Sequence, residues 1–205
     1  MSGWDFKETG DSNNKKQEFT KFPEGVTKIR VIDEAPVERW THFLIKEKRS
    51  VNCPGKGCPI CEIRQYEKAN KMPYTHQMAR RFALQVLNRN TGKIEIMEQG
   101  ITFMQDLRDV MEMLHEDGKK LIDVDLQVRR RGMGKDNTSY RIDIAEEYEL
   151  SEDDVALMGQ MIDLKEYFAP HKPELITRVL NGEAFDEVMF GNDDDEDSDE
   201  EFEVE

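Results

Sequence analysis

This chain of 205 residues has only three cysteines and no long hydrophobic run. No apolar stretch approaches the roughly 20 residues that a membrane helix needs, so we expect no membrane partner. The polar start MSGWDFKETGDSNNKK has no apolar signal region, and a reducing cytoplasm is therefore the expected compartment. Hydrophobic residues make up 37% and charged residues 36%, so part of the chain is expected to lie outside any packed core.

Basic residues are scarce at the C-terminal end of the chain. Residues 146–205 contain 3 Lys or Arg and 22 Asp or Glu, whereas residues 1–145 contain 26 basic and 22 acidic residues. The segment 193–205, DDDEDSDEEFEVE, has ten carboxylates and no base. Such a block repels itself, so we predict a disordered acidic tail that serves either solubility or interaction. Although the net charge of the whole chain is −15, residues 1–145 are therefore mildly basic, and this body of the protein can accept a polyanion.

Motifs for catalysis are also lacking. The chain has no phosphate-cradling glycine motif and no nucleophile elbow. Scattered carboxylates such as Asp123, Asp125 and Asp143 could hold Mg²⁺ as in a nuclease, but alternating strand carboxylates are more often surface residues. The sequence therefore predicts a protein that is not an enzyme.

The three cysteines are concentrated in one turn, SVNCPGKGCPICE, with the spacing Cys53-x4-Cys58-x2-Cys61. An odd number of thiols cannot pair completely in internal disulfides, whereas this spacing suits thiolates around one metal ion. A fourth ligand is needed, and spacing alone permits either His42 or His76. Four protein ligands indicate a structural zinc, because a catalytic zinc keeps one position for water.

The hydrophobic pattern predicts alternating strands and helices after a polar arm. Strands are predicted over 25–33 and 38–48, a hairpin over 80–100 around Asn-Arg-Asn-Thr-Gly, and a strand, loop and returning strand over 123–145; helices are predicted over 62–71, 101–118 and 151–168. Roughly five strands with a helix before the last pair is the order of an OB-fold barrel. Another small barrel or a mixed α+β sheet fits the same spacing.

A resemblance to a known protein family adds to these expectations. The runs FPEGVTKIRVID, WTHF and SVNCPGKGCPICE resemble the zinc-containing single-stranded DNA-binding proteins of tailed bacteriophages, the T-even-type helix-destabilising family. The similarity extends through RRFALQVLNRNTGKIEIMEQG, DVDLQVRRRGMGKDNTSYRIDI and the acidic end. That family binds zinc with one His followed by three Cys, so the resemblance implies one structural Zn²⁺ on His42, Cys53, Cys58 and Cys61. The family's basic Lys/Arg-Ser-Thr motif has only a partial counterpart in NNKKQEFTKF, so we expect a monomer or weak self-association along DNA.

The resulting fold prediction is a mainly β protein with a five-stranded OB-fold barrel, a zinc-stabilised loop, a helical extension and an acidic tail. The expected organisation is a flexible arm over 1–20, an OB-fold domain over 21–148 with a zinc subdomain at about 42–72, a helical extension over 149–190 and a disordered tail over 191–205.

Non-specific binding of a single strand needs a cationic groove for phosphates and aromatic faces for bases. The candidate contact residues are the basic and aromatic side chains of the body, namely Lys28, Arg30, Trp40, Lys46, Lys48, Arg49, Tyr74, Arg80, Arg81, Arg129, Arg130, Arg131, Lys135, Tyr140 and Arg141. Trp40 and Tyr140 are the favoured aromatic faces, because Phe82 alternates with apolar residues and is expected in the core.

The predicted function is to coat and protect single-stranded DNA during phage replication, recombination and repair. The acidic tail at 193–205 is expected to recruit replication and recombination proteins, such as a polymerase, a helicase loader or a recombinase. The alternative is a zinc-stabilised replication or transcription accessory factor that acts through protein contacts.

Overall fold

The computed structural model describes residues 18–132, 137–145 and 150–191. The predicted arm up to residue 17, the loop containing Lys135 and the acidic tail lie outside these described residues. The strands are β1 (Gly25–Val31), β2 (Val37–Leu44), β3 (Arg49–Asn52), β4 (Gln77–Asn88), β5 (Lys93–Gln99), β6 (Leu126–Arg131) and β7 (Ser139–Ile144). The helices are α1 (Pro59–Ala69), α2 (Ile101–Glu116), α3 (Glu152–Met158), α4 (Leu164–Tyr167), α5 (Pro173–Leu180) and α6 (Phe185–Phe190), with one 3₁₀ turn at Leu121–Asp123. No helix in the described ranges is long and apolar enough to cross a membrane.

The seven strands form one mainly antiparallel sheet in the order β3-β2-β4-β1-β6-β7, with β5 paired to β4. Among the described residues no pairing joins the outer strands β3 and β7, so the sheet does not close. The predicted mainly β class is therefore confirmed, whereas the sheet has seven strands and does not form the predicted five-stranded barrel. One cause is the segment 38–48, which the pattern predicts as one strand. It breaks after Leu44 into a turn in which Lys48 has φ of 55°, and β3 follows.

The chain divides into two compact units. Of the described residues, we call 18–36, 83–98, 103–132, 137–145 and 150–161 the sheet unit, and 37–82, 99–102 and 162–191 the cysteine unit. Strand β4 contributes its first half to the cysteine unit and its second half to the sheet unit.

The core of the sheet unit forms between α2 and the inner faces of its strands. Helix α2 buries a stripe at helical spacing, made of Phe103, Leu107, Val110 and Leu114. These side chains pack with strand residues such as Ile29, Val86 and Leu126. The chain leaves the helix through Gly118, whose φ of 72° lies in the left-handed region that glycine tolerates. The predicted helix over 101–118 and the predicted hairpin over 80–100 are both confirmed.

A buried ion network ties α3 to the strands of the sheet unit. Asp125 lies between two guanidinium groups, with Oδ1 2.5 Å from Nε of Arg30 and Oδ2 3.0 Å from Nε of Arg89. Arg89 also contacts Asp154 of α3 at 2.7 Å, where Ser151 and Asp154 form a capping box. The prediction of one helix over 151–168 is wrong, because α3 ends at Met158 with Gly159 as its C-cap, and α4 starts anew with Asp163 as its N-cap.

The cysteine unit has a smaller core. The β2–β3 hairpin and α1 contribute Leu44, Val51 and Ile60, and the C-terminal helices contribute Ile176, Val179 and Val188. Cys58 is buried within this cluster, and Cys53 and Cys61 pack against it. The apolar faces of α5 and α6 are therefore buried around the cysteine turn.

Candidate metal centre and basic surface

Four side chains of the cysteine unit converge on one point. The ligand atoms of His42, Cys53, Cys58 and Cys61 all lie within 4.8 Å of one another. Nε2 of His42 is 3.5 Å from Sγ of Cys58 and 3.4 Å from Sγ of Cys61, and the sulfurs of Cys53 and Cys61 are 3.6 Å apart. A tetrahedral zinc with bonds of about 2.0–2.3 Å separates its ligand atoms by roughly 3.5–3.8 Å. The cluster therefore has the donor set and the spacing to bind one metal ion.

The local sequence explains why these four residues meet. In the hairpin, His42 lies opposite Val51, and Cys53 follows β3 with its N–H donating to the carbonyl of Trp40 at 2.8 Å. Gly55 and Gly57 have φ of 78° and 76°, which allows the tight reversal toward α1. Cys58 is then the N-cap of α1, with a proline in the first helical turn. Cys61 lies in that same turn, where unpaired helix N–H groups favour negative charge.

Burial in the cluster keeps the imidazole neutral and disfavours thiolates that have no counter-charge. Burial, together with the charges of Arg64 and His76, lowers the pKa of His42 to about 4, so the imidazole is neutral at pH 7, as a metal ligand must be. Burial and the neighbouring thiols raise the pKa of Cys61 to about 12, and burial also raises the pKa of Cys58. Crowded thiolates of this kind need a positive partner, which a divalent metal ion supplies.

The structure distinguishes the two histidines that spacing leaves open. Among the described residues the metal-ligand cluster contains His42, whereas His76 lies outside it. The backbone carbonyl of His76 accepts a hydrogen bond from Arg64 of α1. His76 is close enough for its charge to lower the pKa of His42, so it is a neighbour of the cluster and not a member of it.

Three of the predicted DNA-contact arginines share one exposed face of the sheet unit. Arg129 on β6 lies directly opposite Arg141 on β7, and Arg131 lies two residues further along the same face. Val26 of β1 flanks Arg129 on the other side, and the exposed Lys28 follows two residues later. We call the exposed set of Lys28, Arg129, Arg131 and Arg141 the arginine face.

The other predicted contacts of the sheet unit that the structure describes are not exposed on this face. Arg30 is 1% exposed and is paired with Asp125, which leaves no room for a phosphate. Arg130 donates to the carbonyl of Phe22 at 2.7 Å. Tyr140 packs edge-on against Phe22 and Phe103, with ring centroids 5.8 and 5.4 Å away. Alternation along β6 and β7 puts Arg130 and Tyr140 on the core side, so a base-stacking role for Tyr140 does not fit its position.

The predicted contacts of the cysteine unit are dispersed. Lys46 and Lys48 are exposed at the β2–β3 turn, and Arg49 lies 3.8 Å from Asp186. Tyr74 is half exposed beneath the guanidinium of Arg64, and Arg81 is half-buried. Arg80 makes a two-pronged ion pair with Glu38, at 2.6 and 2.7 Å. Trp40 is 43% exposed on β2.

Three residues near Trp40, namely Arg39, Asn52 and Phe168, contact one another, and no sequence pattern predicts these contacts. The guanidinium of Arg39 stacks on the ring of Phe168 at 3.8 Å and donates to the side-chain oxygen of Asn52. Asn52 and Phe168 are 116 residues apart along the chain, so no local pattern connects them. These three residues belong to the cysteine unit and are absent from the sequence-based candidates.

Comparison with known proteins gives one relevant similarity. No protein-family model matches the chain. Over 154 residues it is 25% identical to a protein of Escherichia phage T5 that is named "Probable ssDNA-binding protein". The match covers 66% of this chain and 58% of the phage T5 protein, so the chain spans less than two thirds of that relative's length. The similarity supports a relationship to a family of phage proteins.

Proposed function

We propose that this protein binds single-stranded DNA in a phage, through the arginine face of its sheet unit. The name of the T5 relative supports this ligand, and similarity to a single-stranded DNA-binding protein implies a non-enzymatic binding protein. The observation that carries the proposal is the direct cross-strand pairing of Arg129 with Arg141.

Two like charges opposite each other in a sheet destabilise it, because their Cβ atoms lie about 4.5–5.5 Å apart. Asp143 offsets part of this repulsion through its 2.9 Å contact with Arg141. In the described part of the chain no carboxylate pairs with Arg129 or Arg131. A strand of phosphates laid along this face neutralises the remaining charge, and release of counterions from the nucleic acid favours binding further.

The candidate Mg²⁺ ligands Asp123, Asp125 and Asp143 do not support the alternative function of a metal-dependent nuclease. Asp125 is 3% exposed and is held by Arg30 and Arg89, so it is not open to Mg²⁺. Asp143 is paired with Arg141, and the Asp123 carboxylate accepts the N–H of Lys120 at 2.9 Å. These three side chains therefore have separate structural partners, which favours binding over catalysis.

The metal of the cysteine unit is proposed to be one structural Zn²⁺. Three sulfurs and one imidazole are a ligand set that zinc prefers, and four protein donors leave no position for a reacting water. His42, Cys53, Cys58 and Cys61 would hold the ion, which would join the β2–β3 hairpin to the first turn of α1. We also propose that the sheet unit is OB-like and that the zinc relates the chain to the T-even-type family.

The proposed cellular role is to coat transient single strands during phage DNA replication, recombination and repair, in the cytoplasm of the bacterial host. The acidic segment 193–205, outside the described residues, is proposed to recruit a polymerase, helicase loader or recombinase, since its ten carboxylates suit a basic partner surface. Self-association along DNA is proposed to be weak. The competing proposal is a zinc-stabilised accessory factor that acts through protein contacts alone. The acidic segment supports both proposals equally.

The test is the affinity for fluorescent oligo(dT), measured by anisotropy beside a duplex of equal length. The protein should bind the single strand more tightly, and Arg129→Gln combined with Arg141→Gln should weaken this binding. Arg108→Gln is the matched control, because Arg108 lies on α2 with its side chain 71% exposed and is paired with Glu112. Absence of oligo(dT) binding at low salt would favour the accessory factor.

A further inference from the structure

We infer that a cleft in the cysteine unit, beside Trp40, takes one unstacked nucleobase, with its phosphate at Lys165. This inference rests on the proposed function and adds a site to it. The cleft has a volume of about 310 Å³, and its lining includes Trp40, Asn52, Cys53, Lys165 and Phe168. That volume is at the lower limit of the roughly 300–1,000 Å³ of small-molecule sites, which suits a single nucleotide unit.

The walls of the cleft are fixed before any ligand arrives. The side-chain nitrogen of Asn52 donates to the carbonyls of Phe168 and Ala169, each at 3.2 Å. The backbone N–H of Asn52 donates to Nδ1 of His171 at 2.9 Å. Arg39 lies flat on the Phe168 ring and also contacts Asn52. Asn52 thus joins the segment after α4 to the end of β3, and a preorganised site loses less entropy on binding.

Trp40 supplies the aromatic face. It is 43% exposed on β2, whereas Phe168 is 8% exposed and mainly forms the wall. The carbonyl of Trp40 accepts the N–H of Cys53, which fixes the backbone that carries the indole. An exposed aromatic ring that lines a cleft, on a fixed strand, offers a face on which bases of a single strand stack without sequence preference.

Charge at the rim favours a nucleotide over a neutral ligand. Lys165 is exposed at the start of α4, where its ammonium group can reach a phosphate. Glu38 also lines the cleft, and its carboxylate would repel a phosphate if it were unpaired. The two-pronged pair with Arg80 offsets that charge. A base paired in a duplex is stacked within the helix and cannot enter, so the cleft selects for single strands.

The intrinsic fluorescence of Trp40 gives a direct readout. The chain has two tryptophans, so Trp4→Phe leaves Trp40 as the single emitter. In this full-length background, oligo(dT) should quench the emission and saturate at the same concentration as the anisotropy of the labelled oligonucleotide. Trp40→Ala should weaken binding by about 5- to 150-fold, the range expected for loss of one stacked base. Trp40→Phe should restore most of the affinity.

Controls separate this inference from the proposed function. Tyr66→Ala removes a 64% exposed aromatic side chain of α1 in the same unit and should not change the affinity. Lys165→Gln should lower the salt slope by about 0.7, the value for one phosphate contact on a single strand, whereas Lys68→Gln should not. Binding of oligo(dT) with unchanged Trp40 emission, and with Trp40→Ala equal to Tyr66→Ala, overturns the base site and leaves the proposed function intact. Absence of oligo(dT) binding by the unsubstituted protein overturns both.

Discussion

The sheet unit and the cysteine unit reach stability by different means. In the sheet unit a long amphipathic helix packs on a sheet. A buried ion network also joins Asp125 to Arg30 and Arg89. The cysteine unit has a smaller apolar core, and four metal-ligand side chains lie next to it. Units with little apolar surface to bury commonly need a metal to fold. We therefore expect the two units to respond differently to loss of the metal and of the buried charge.

Loss of the metal should have the largest effect, and it should be confined to the cysteine unit. Structural zinc contributes apparent binding free energies of roughly 10–16 kcal/mol in zinc-finger peptides, and Cys58→Ala removes a buried ligand. We expect one zinc per chain in the original protein, and none in this variant. Amide hydrogen exchange should then become fast in β2, β3 and α1, while α2 and β6 stay protected.

The histidines provide the matched control for that experiment. His42→Ala should lose the metal, and His76→Ala should retain it, because only the first imidazole points at the sulfurs. Full metal content in Cys58→Ala, with unchanged exchange, would mean that the cluster is not a metal site.

Substitution of the buried carboxylate Asp125 should destabilise the sheet unit and leave the metal in place, the converse of the result for Cys58→Ala. Asp125→Asn leaves the guanidinium groups of Arg30 and Arg89 without their shared counter-charge. Breaking a buried pair in this way costs about 3–5 kcal/mol, so denaturant unfolding should shift strongly. Metal content should stay at the original level, because Asp125 belongs to the sheet unit. A loss of metal together with stability would show that the two units do not respond independently.

The arginine face should show stability and binding changing in opposite directions. Arg129→Glu replaces a like-charge pair with an opposite-charge pair across from Arg141 and leaves the Arg141–Asp143 ion pair in place, which should raise the free energy of unfolding by about 0.2–1 kcal/mol. The same change should weaken oligo(dT) binding. Denaturant titration and anisotropy on one preparation measure both, and a loss of stability would place Arg129 in a structural role.

Removal of residues 193–205 should have the smallest effect. A tethered polyanion competes with DNA for a basic surface at a high effective concentration. The shortened protein should therefore bind oligo(dT) more tightly at low salt, and the gain should shrink as salt screens the competition. Equal affinity of both proteins at low salt would leave the segment with a partner-binding role at most.

Local chemistry explains which features could be predicted from the sequence. The ligands Cys53, Cys58 and Cys61 lie within nine residues, and the glycines and Pro59 between them specify the turn, so their meeting follows from local structure. The hairpin around Asn90 and the helix α2 likewise carry short-range signals.

Long-range pairing explains what could not be predicted. Arg30 appears as a surface cation in the sequence because its partner Asp125 is 95 residues away. The alignment of Arg129 with Arg141 depends on strand register, and the stack of Arg39 on Phe168 depends on how α4 folds back onto β2. Closure of a sheet into a barrel also depends on such pairings, so a five-stranded barrel could not be derived from strand order alone.

The most direct test of binding through the arginine face is the salt dependence of oligo(dT) affinity. Each phosphate contact on a single strand contributes about −0.7 to the slope of log affinity against log salt. Arg129→Gln combined with Arg141→Gln should therefore flatten the slope by about 1.4, twice that value, and Arg108→Gln should leave it unchanged. An identical slope in the double variant and the original protein would contradict the account, because the strand would then lie elsewhere.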